Sequence, residues 1–209
     1  MKKKLELTNY QSKLLKDLVE ADYNAAIFMD MGLGKTITAL KAVEDMLYYA
    51  PEYKILIVSP KRVAETTWSD EIDKWQDFNN ISYIKVLGTQ NQRLKALNSH
   101  ADIYITNHEN VVWLSENVEH DFFDAIIVDE STYYKSYSSK RFKALRKLTE
   151  LASHVLLLTG TPVANGYEAL WSQICLIDNG KRLGKNITAY RNEFFQNFGR
   201  FYPDWRLKK

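Results

Sequence analysis

A chain of 209 residues suits one domain of ordinary to large size, since single cores grow to roughly 100 to 200 residues or slightly beyond. Hydrophobic residues at 45%, charged at 26% and aromatic at 13% exclude the disordered and fibrous classes. A net charge of +2 is too small to announce a nucleic-acid partner by itself, so any basic footprint must come from local clustering.

The chain starts MKKKLELTNY, whose basic residues are not followed by the apolar stretch of about ten residues that a secretory signal needs, so export is not expected. The first strand-like run is AAIFM, residues 25–29, and it leads directly into MDMGLGKT, residues 29–36. That motif holds Gly32, Gly34, Lys35 and Thr36, with Met29 where the general phosphate-loop pattern begins with Gly. A phosphate loop works because successive backbone N–H groups and a helix N-terminus converge on anionic oxygens, and glycines let the main chain come close. A strand before and a helix after are its required context. Ile37, Leu40, Val43 and Leu47 supply the helix, as an apolar stripe running to about residue 48 that Pro51 ends. In this reading Lys35 reaches the β- and γ-phosphates and the Thr36 hydroxyl ligates Mg²⁺. A glycine turn with an incidental Lys-Thr is the competing explanation.

Further short apolar runs follow at 55–59 (ILIVS), 81–87 (ISYIKVL), 102–106 (DIYIT), 123–129 (FDAIIVD) and 154–159 (HVLLLT). Helical patterns separate them, which predicts βα units around a mostly parallel sheet flanked by helices on both faces. Several runs are apolar on both faces, as doubly covered strands must be. Trp68 and Trp75, seven apart, read as core packing on one helical face. At the end of the 123–129 run stand Asp129 and Glu130, a carboxylate for the metal and an acid to polarise water; alone, they could equally be a solvated strand end.

The stretch KSYSSKRFKALRKL carries Lys135, Lys140, Arg141, Lys143, Arg146 and Lys147 around an apolar stripe of Phe142, Leu145 and Leu148, and reads as a solvated basic helix face rather than a direct DNA contact. The four histidines, at 100, 108, 120 and 154, have no metal-ligand spacing with Cys175. Cys175 is the single cysteine, which excludes an internal disulfide framework and fits a reducing, cytoplasmic compartment. The longest apolar runs fall far short of the roughly 18 to 20 residues that span a bilayer, so no membrane partner is expected. Past Asn179 the pattern weakens, with glycines at 180, 184 and 199, Pro203 and no apolar strand, as in an appendage or the start of a linker.

Several stretches, in this order, resemble the motifs of superfamily 2 helicases and DNA translocases, and within them the Swi/Snf-type ATPases, including compact phage versions. Tyr10-Gln11 resembles the glutamine motif, MDMGLGKT motif I, VSPKRVAETTW motif Ia, ITNHENV motif Ib, VDESTYYKS motif II and LTGTPVANGYEALWS motif III. The match covers about residues 5–180. It implies a RecA-like P-loop NTPase fold for residues 1–180, with 181–209 as a C-terminal extension or linker start. It also implies ATP and Mg²⁺ as ligands and hydrolysis coupled to movement on DNA, in a bacterial or phage-infected cell. By resemblance, Tyr10, Gln11, Met31, Gly32, Leu33, Gly34, Lys35, Thr36 and Ile37 bind ATP; Thr36 and Asp129 hold the metal; Lys35, Asp129 and Glu130 are catalytic.

Thr159, Gly160 and Thr161 then couple nucleotide state to DNA, and Pro60, Lys61, Arg62, Thr106, Asn107 and His108 lie where the family grips phosphates of one strand of a duplex, independently of sequence. Taken singly, Lys61 and Arg62 are as well explained as a solvated surface pair. Motif II departs from the family in having Thr132 where His is frequent, which removes the basis for any role of that His here. The family completes its site with an arginine from a second RecA-like lobe, in cis or in trans. FQNFGR, ending in Arg200, superficially resembles that arginine motif but follows LTGTP too closely to belong to a second domain of typical size. Weak ATP turnover by this chain alone is therefore expected. A nucleotide-gated nucleic-acid-binding or regulatory module without efficient turnover is the alternative, while a phosphate-loop kinase fits poorly with the glutamine motif and LTGTP.

Overall fold

A computed structural model describes residues 2–163, 166–199 and 204–208. Six parallel strands form the central sheet: β1 (Ala25–Phe28), β2 (Ile55–Ser59), β3 (Tyr83–Lys85), β4 (Ile103–Asn107), β5 (Ala125–Asp129) and β6 (His154–Thr159), in the order β1-β6-β5-β2-β4-β3. Each coincides with an apolar run expected from the sequence. The edge strand β3 is shorter than its run, because a strand with one neighbour has half the pairing to hold its ends.

Helices connect the strands: α1 (Asn9–Glu20), α2 (Lys35–Tyr49), α3 (Trp68–Lys74), α4 (Gln90–Leu97), α5 (Val111–Asn117), α6 (Lys140–Thr149), α7 (Glu168–Asp178) and α8 (Ile187–Phe194). Alternate side chains of each strand feed two separate cores. On one face Ile55, Ile57, Ile103, Ile105, Ile127 and Leu158 pack with α1, α2 and α3 through Leu18, Leu40, Val43 and Trp68. On the other, Leu56, Val58, Tyr104, Ile126, Val128 and Leu157 pack with α4 to α8 through Leu97, Leu114, Leu145, Trp171 and Tyr190. Burying both faces is what makes these strands uninterruptedly apolar.

α2 begins within the glycine motif and stops at Tyr49, just before Pro51, as the stripe predicts. The Phe142, Leu145 and Leu148 stripe of α6 is buried, with Ser139 capping the helix by accepting the Phe142 N–H. The basic side chains divide: Lys140, Lys143 and Lys147 are exposed, while Arg146 pairs with Glu150 at 3.0 Å.

Two expectations need correction. Trp68 is fully buried, but α3 ends at Lys74 and Trp75 is extended, so the two indoles do not share a helical face; Trp75 packs on the core from beyond the helix and donates its N–H to Glu71 at 2.7 Å. The segment past 180 also contains strands. After α8 come β7 (Phe195–Asn197) and β8 (Trp205–Leu207), an antiparallel pair, and Ile187, Tyr190 and Phe195 are buried in the same core as α6 and α7. Arg200 lies outside the described residues. Among the described residues no helix is long and apolar enough to cross a membrane.

Candidate nucleotide site

The carboxyl ends of β1, β5 and β6 meet at one edge of the sheet, where ligands of open α/β sheets bind. After β1 the chain turns through Gly32 and Gly34, at φ of 81° and 86°, a left-handed conformation that glycine adopts without a Cβ penalty. α2 starts at Lys35, so the free N–H groups of its first turn, with Thr36 among them, face the loop. The Lys35 amine curls back to donate to the carbonyls of Met29 at 2.7 Å and Asp30 at 3.1 Å. In both bonds only the donor is ionised, and an anion entering the loop would replace them with bonds in which donor and acceptor both carry charge.

β6 is fastened to the loop at its tip. The Met29 N–H donates to the Thr159 carbonyl at 3.0 Å, and a Cβ added to Gly160 would lie 3.4 Å from the Met29 carbonyl oxygen and 4.0 Å from Lys35 Nζ. The Thr159 hydroxyl donates to Glu130 at 3.3 Å and accepts the Thr161 N–H at 3.2 Å. The glycine loop, the acid pair and the LTGTP turn thus converge, with β6 lying between β1 and β5 and carrying the LTGTP turn between the other two.

Asp129 and Glu130 occupy the end of β5, with Glu130 itself left-handed at φ 56°. Burial, and next the Glu130 charge, push the Asp129 carboxyl up to about 6; Trp68, Lys35 and the Glu130 backbone pull the other way. A carboxylate so placed is short of positive charge, which a divalent cation would supply. Thr36 and Asp129 offer the hard oxygen donors that Mg²⁺ takes, with its other positions left to water and phosphate.

Tyr10 and Gln11 open α1 beside the loop. The Tyr10 hydroxyl donates to Met29 Sδ at 2.7 Å, and the Gln11 carboxamide donates to the Leu33 carbonyl at 3.3 Å while accepting the Thr8 N–H at 2.9 Å. Met31 and Leu33 are exposed at the mouth of the loop, and Ile37 is half-buried in the first turn of α2.

The residues expected at DNA divide sharply. Lys61 and Arg62 are exposed directly after β2, next to the half-buried Pro60. Thr106 and Asn107 are buried: the Thr106 hydroxyl donates to the Val86 carbonyl at 2.9 Å, and Asn107 accepts the Asn110 N–H at 3.0 Å. The structure does not bring these side chains to a surface with Lys61 and Arg62. His108 is fully buried, its Nδ1 3.0 Å from the Tyr134 hydroxyl and its ring stacked on Tyr133 with centroids 4.1 Å apart. Burial depresses its pKa to about 4, so it is neutral and offers no charge to a phosphate.

Trp68 is a site neighbour that the sequence reading assigned to packing alone. Its indole N–H is buried with no partner in hydrogen-bond range, yet it lies on the Asp129 face and favours the ionised carboxylate. Spacing along the chain carries no signal for this, since it depends on which of the two cores Trp68 joins in the folded chain.

Comparison with known proteins follows the same lines. A family model described as SNF2-related domain matches residues 10–199. Protein p41 of Acyrthosiphon pisum secondary endosymbiont phage 1 is 35% identical over 209 residues, covering 93% of this chain and 45% of that protein. The DNA annealing helicase and endonuclease ZRANB3 of Homo sapiens is 30% identical over 180 residues, covering 84% of this chain and 16% of that protein. The chain spans less than half the length of either relative. Among solved structures, the Sulfolobus solfataricus SWI2/SNF2 ATPase core in complex with dsDNA superposes with a TM-score of 0.78 at 24% identity, over 91% of this chain and 39% of that one.

Proposed function

Because the chain belongs to the family of SNF2-related domains, we propose that it is the ATP-binding lobe of a DNA-dependent ATPase of the translocase or helicase type. The observation that carries this reading is the meeting of Lys35, Glu130 and Thr159 at one sheet edge, with Glu130 hydrogen-bonded to the threonine of the LTGTP turn. The relatives point the same way: one is named a DNA annealing helicase, and the solved core holds double-stranded DNA.

In this function the amides around Gly32 and Gly34 cradle the phosphates, and Lys35 exchanges two backbone carbonyls for the β- and γ-oxygens. Thr36 and Asp129 hold Mg²⁺, which supplies neutralisation of the phosphate charge. Glu130 orients the attacking water, within reach of Thr159. Tyr10, Gln11, Met31, Leu33 and Ile37 border the entrance on the adenine side. Gly160 and Thr161 follow Thr159 in a turn that couples occupancy of the site to DNA. Lys61 and Arg62 neutralise phosphates of a duplex without reading sequence.

We assign residues 1–180 to the lobe and 181–209 to a C-terminal extension, whose Ile187, Tyr190 and Phe195 share the core of α6 and α7. An arginine from a second RecA-like lobe, in cis or in trans, completes the charge stabilisation, a contribution worth about 10³ to 10⁵ in rate in related NTPases. Turnover by this chain alone is accordingly slow. The test is ATP hydrolysis with and without duplex DNA. The reading expects DNA-stimulated turnover that disappears in Lys35→Ala and in Glu130→Gln. ATP binding without turnover under every condition, including added partner lobes, makes the chain a nucleotide-gated module instead; turnover indifferent to both substitutions removes the site altogether.

A further inference from the structure

Gln173 lies on α7, one residue past the LTGTPVANGYEALWS stretch, and is fully buried. Buried carboxamides are costly unless satisfied, and this one is satisfied at both ends. Its carbonyl oxygen accepts the Ser131 hydroxyl at 2.7 Å. Its amide donates to the Pro162 carbonyl at 2.9 Å and to the Ala169 carbonyl at 3.2 Å. One side chain therefore joins the residue after Glu130 to the residue after Thr161. The neighbouring Ser172 hydroxyl donates to the Lys135 carbonyl at 2.8 Å, so α7 grips the turn after Glu130 at both of its ends.

The anchor has a specific load. Glu130 is left-handed at φ 56° and ψ 57°, a conformation disfavoured for residues with a Cβ that persists only where the surroundings hold it. The Tyr133 N–H closes the turn onto the Glu130 carbonyl at 3.1 Å, and Ser131, at its first position, is buried with its hydroxyl on Gln173. On the other side, the Thr159 hydroxyl that accepts the Thr161 N–H donates to Glu130. The path from Glu130 through Ser131, Gln173 and Pro162 back to Thr161 and Thr159 is a closed ring of hydrogen bonds and short backbone links.

We infer that Gln173 is a positioning residue that fixes the aim of Glu130 and makes the Glu130 turn and the LTGTP turn move as one unit. Gln173 acts through Ser131 and Pro162. The inference rests on the ATPase reading, through the role given there to Glu130.

Gln173→Met keeps the length of the side chain and removes its donors and acceptor, while Ser131→Ala removes one arm of the ring. Both are measured in the full chain with duplex DNA and any completing lobe, well below the melting temperature of each variant. Expected is a fall in kcat of tenfold or more in Gln173→Met with KM for ATP within twofold, and a double variant no worse than the poorer single one. Equal kcat, or a loss confined to KM, or a double variant falling by the product of the two, overturns the inference.

Hydrogen exchange supplies a reading that needs no turnover. Loss of the bridge should speed exchange of the Tyr133 and Thr161 amides together in Gln173→Met and in Ser131→Ala; loosening of one without the other contradicts a shared unit. Failure of the ATPase reading shows separately, as turnover unaffected by Glu130→Gln.

Discussion

Gly34 meets two demands at one position. Its φ of 86° strains any residue with a Cβ, and a Cβ there would overlap the Gln11 carboxamide that bonds Leu33. Gly34→Ala therefore costs about 1 to 2 kcal/mol in backbone strain and also displaces Gln11. Its effect on ATP affinity should exceed its effect on stability, because the displaced groups surround the loop rather than the core. Equilibrium binding of a fluorescent ATP analogue alongside thermal melting separates the two; a large stability loss with unchanged affinity would contradict this account. At the same scale lies the limit of motif reading. That Asp129, Glu130 and Thr159 meet was legible because strand ends dictate where they project, and Lys35 joins them from the first residue of α2. The burial of Thr106, Asn107 and His108 was not, since a motif aligned by order does not say which side chains face inward.

Among the elements, the six core strands and α2 were readable because strands buried on both faces are marked by composition, and a helix facing a core by its stripe. β7 and β8 escaped because three-residue strands with the sequences FQN and WRL hold no measurable alternation. Their support comes from α8, where Tyr190 packs against Phe194 and Phe195 and donates its hydroxyl to the Tyr167 carbonyl at 3.0 Å. Tyr190 is buried in the core shared with α6 and α7, so Tyr190→Ala should lower global stability by about 3 kcal/mol. Urea unfolding should show one transition moved to lower midpoint. A second, early transition with the main one unmoved would make the extension an independent appendage.

At the scale of the whole molecule, the near-neutral charge of +2 leaves the proposed DNA affinity to local groups. Lys61 and Arg62 are exposed after β2, at the same sheet edge as the nucleotide site, whereas the basic face of α6 runs down the flank of the opposite core. Replacing both Lys61 and Arg62 by Ala should weaken duplex binding equally across sequences and reduce the slope of log affinity against log salt by about two, at roughly 0.9 per phosphate contact. An unchanged slope, or a loss confined to particular sequences, would place the DNA elsewhere.

The central claim is that the tip of β1 and the tip of β5 bind one Mg²⁺–triphosphate together. Calorimetric titration of ATP into the chain, with and without magnesium, tests it most directly. The account predicts saturable one-to-one binding that strengthens with magnesium in the wild-type chain, disappears in Lys35→Ala, and in Asp129→Asn loses its dependence on magnesium while keeping the weaker metal-free affinity. Binding of equal strength with and without magnesium in the wild-type chain, or no binding heat at all, would contradict it.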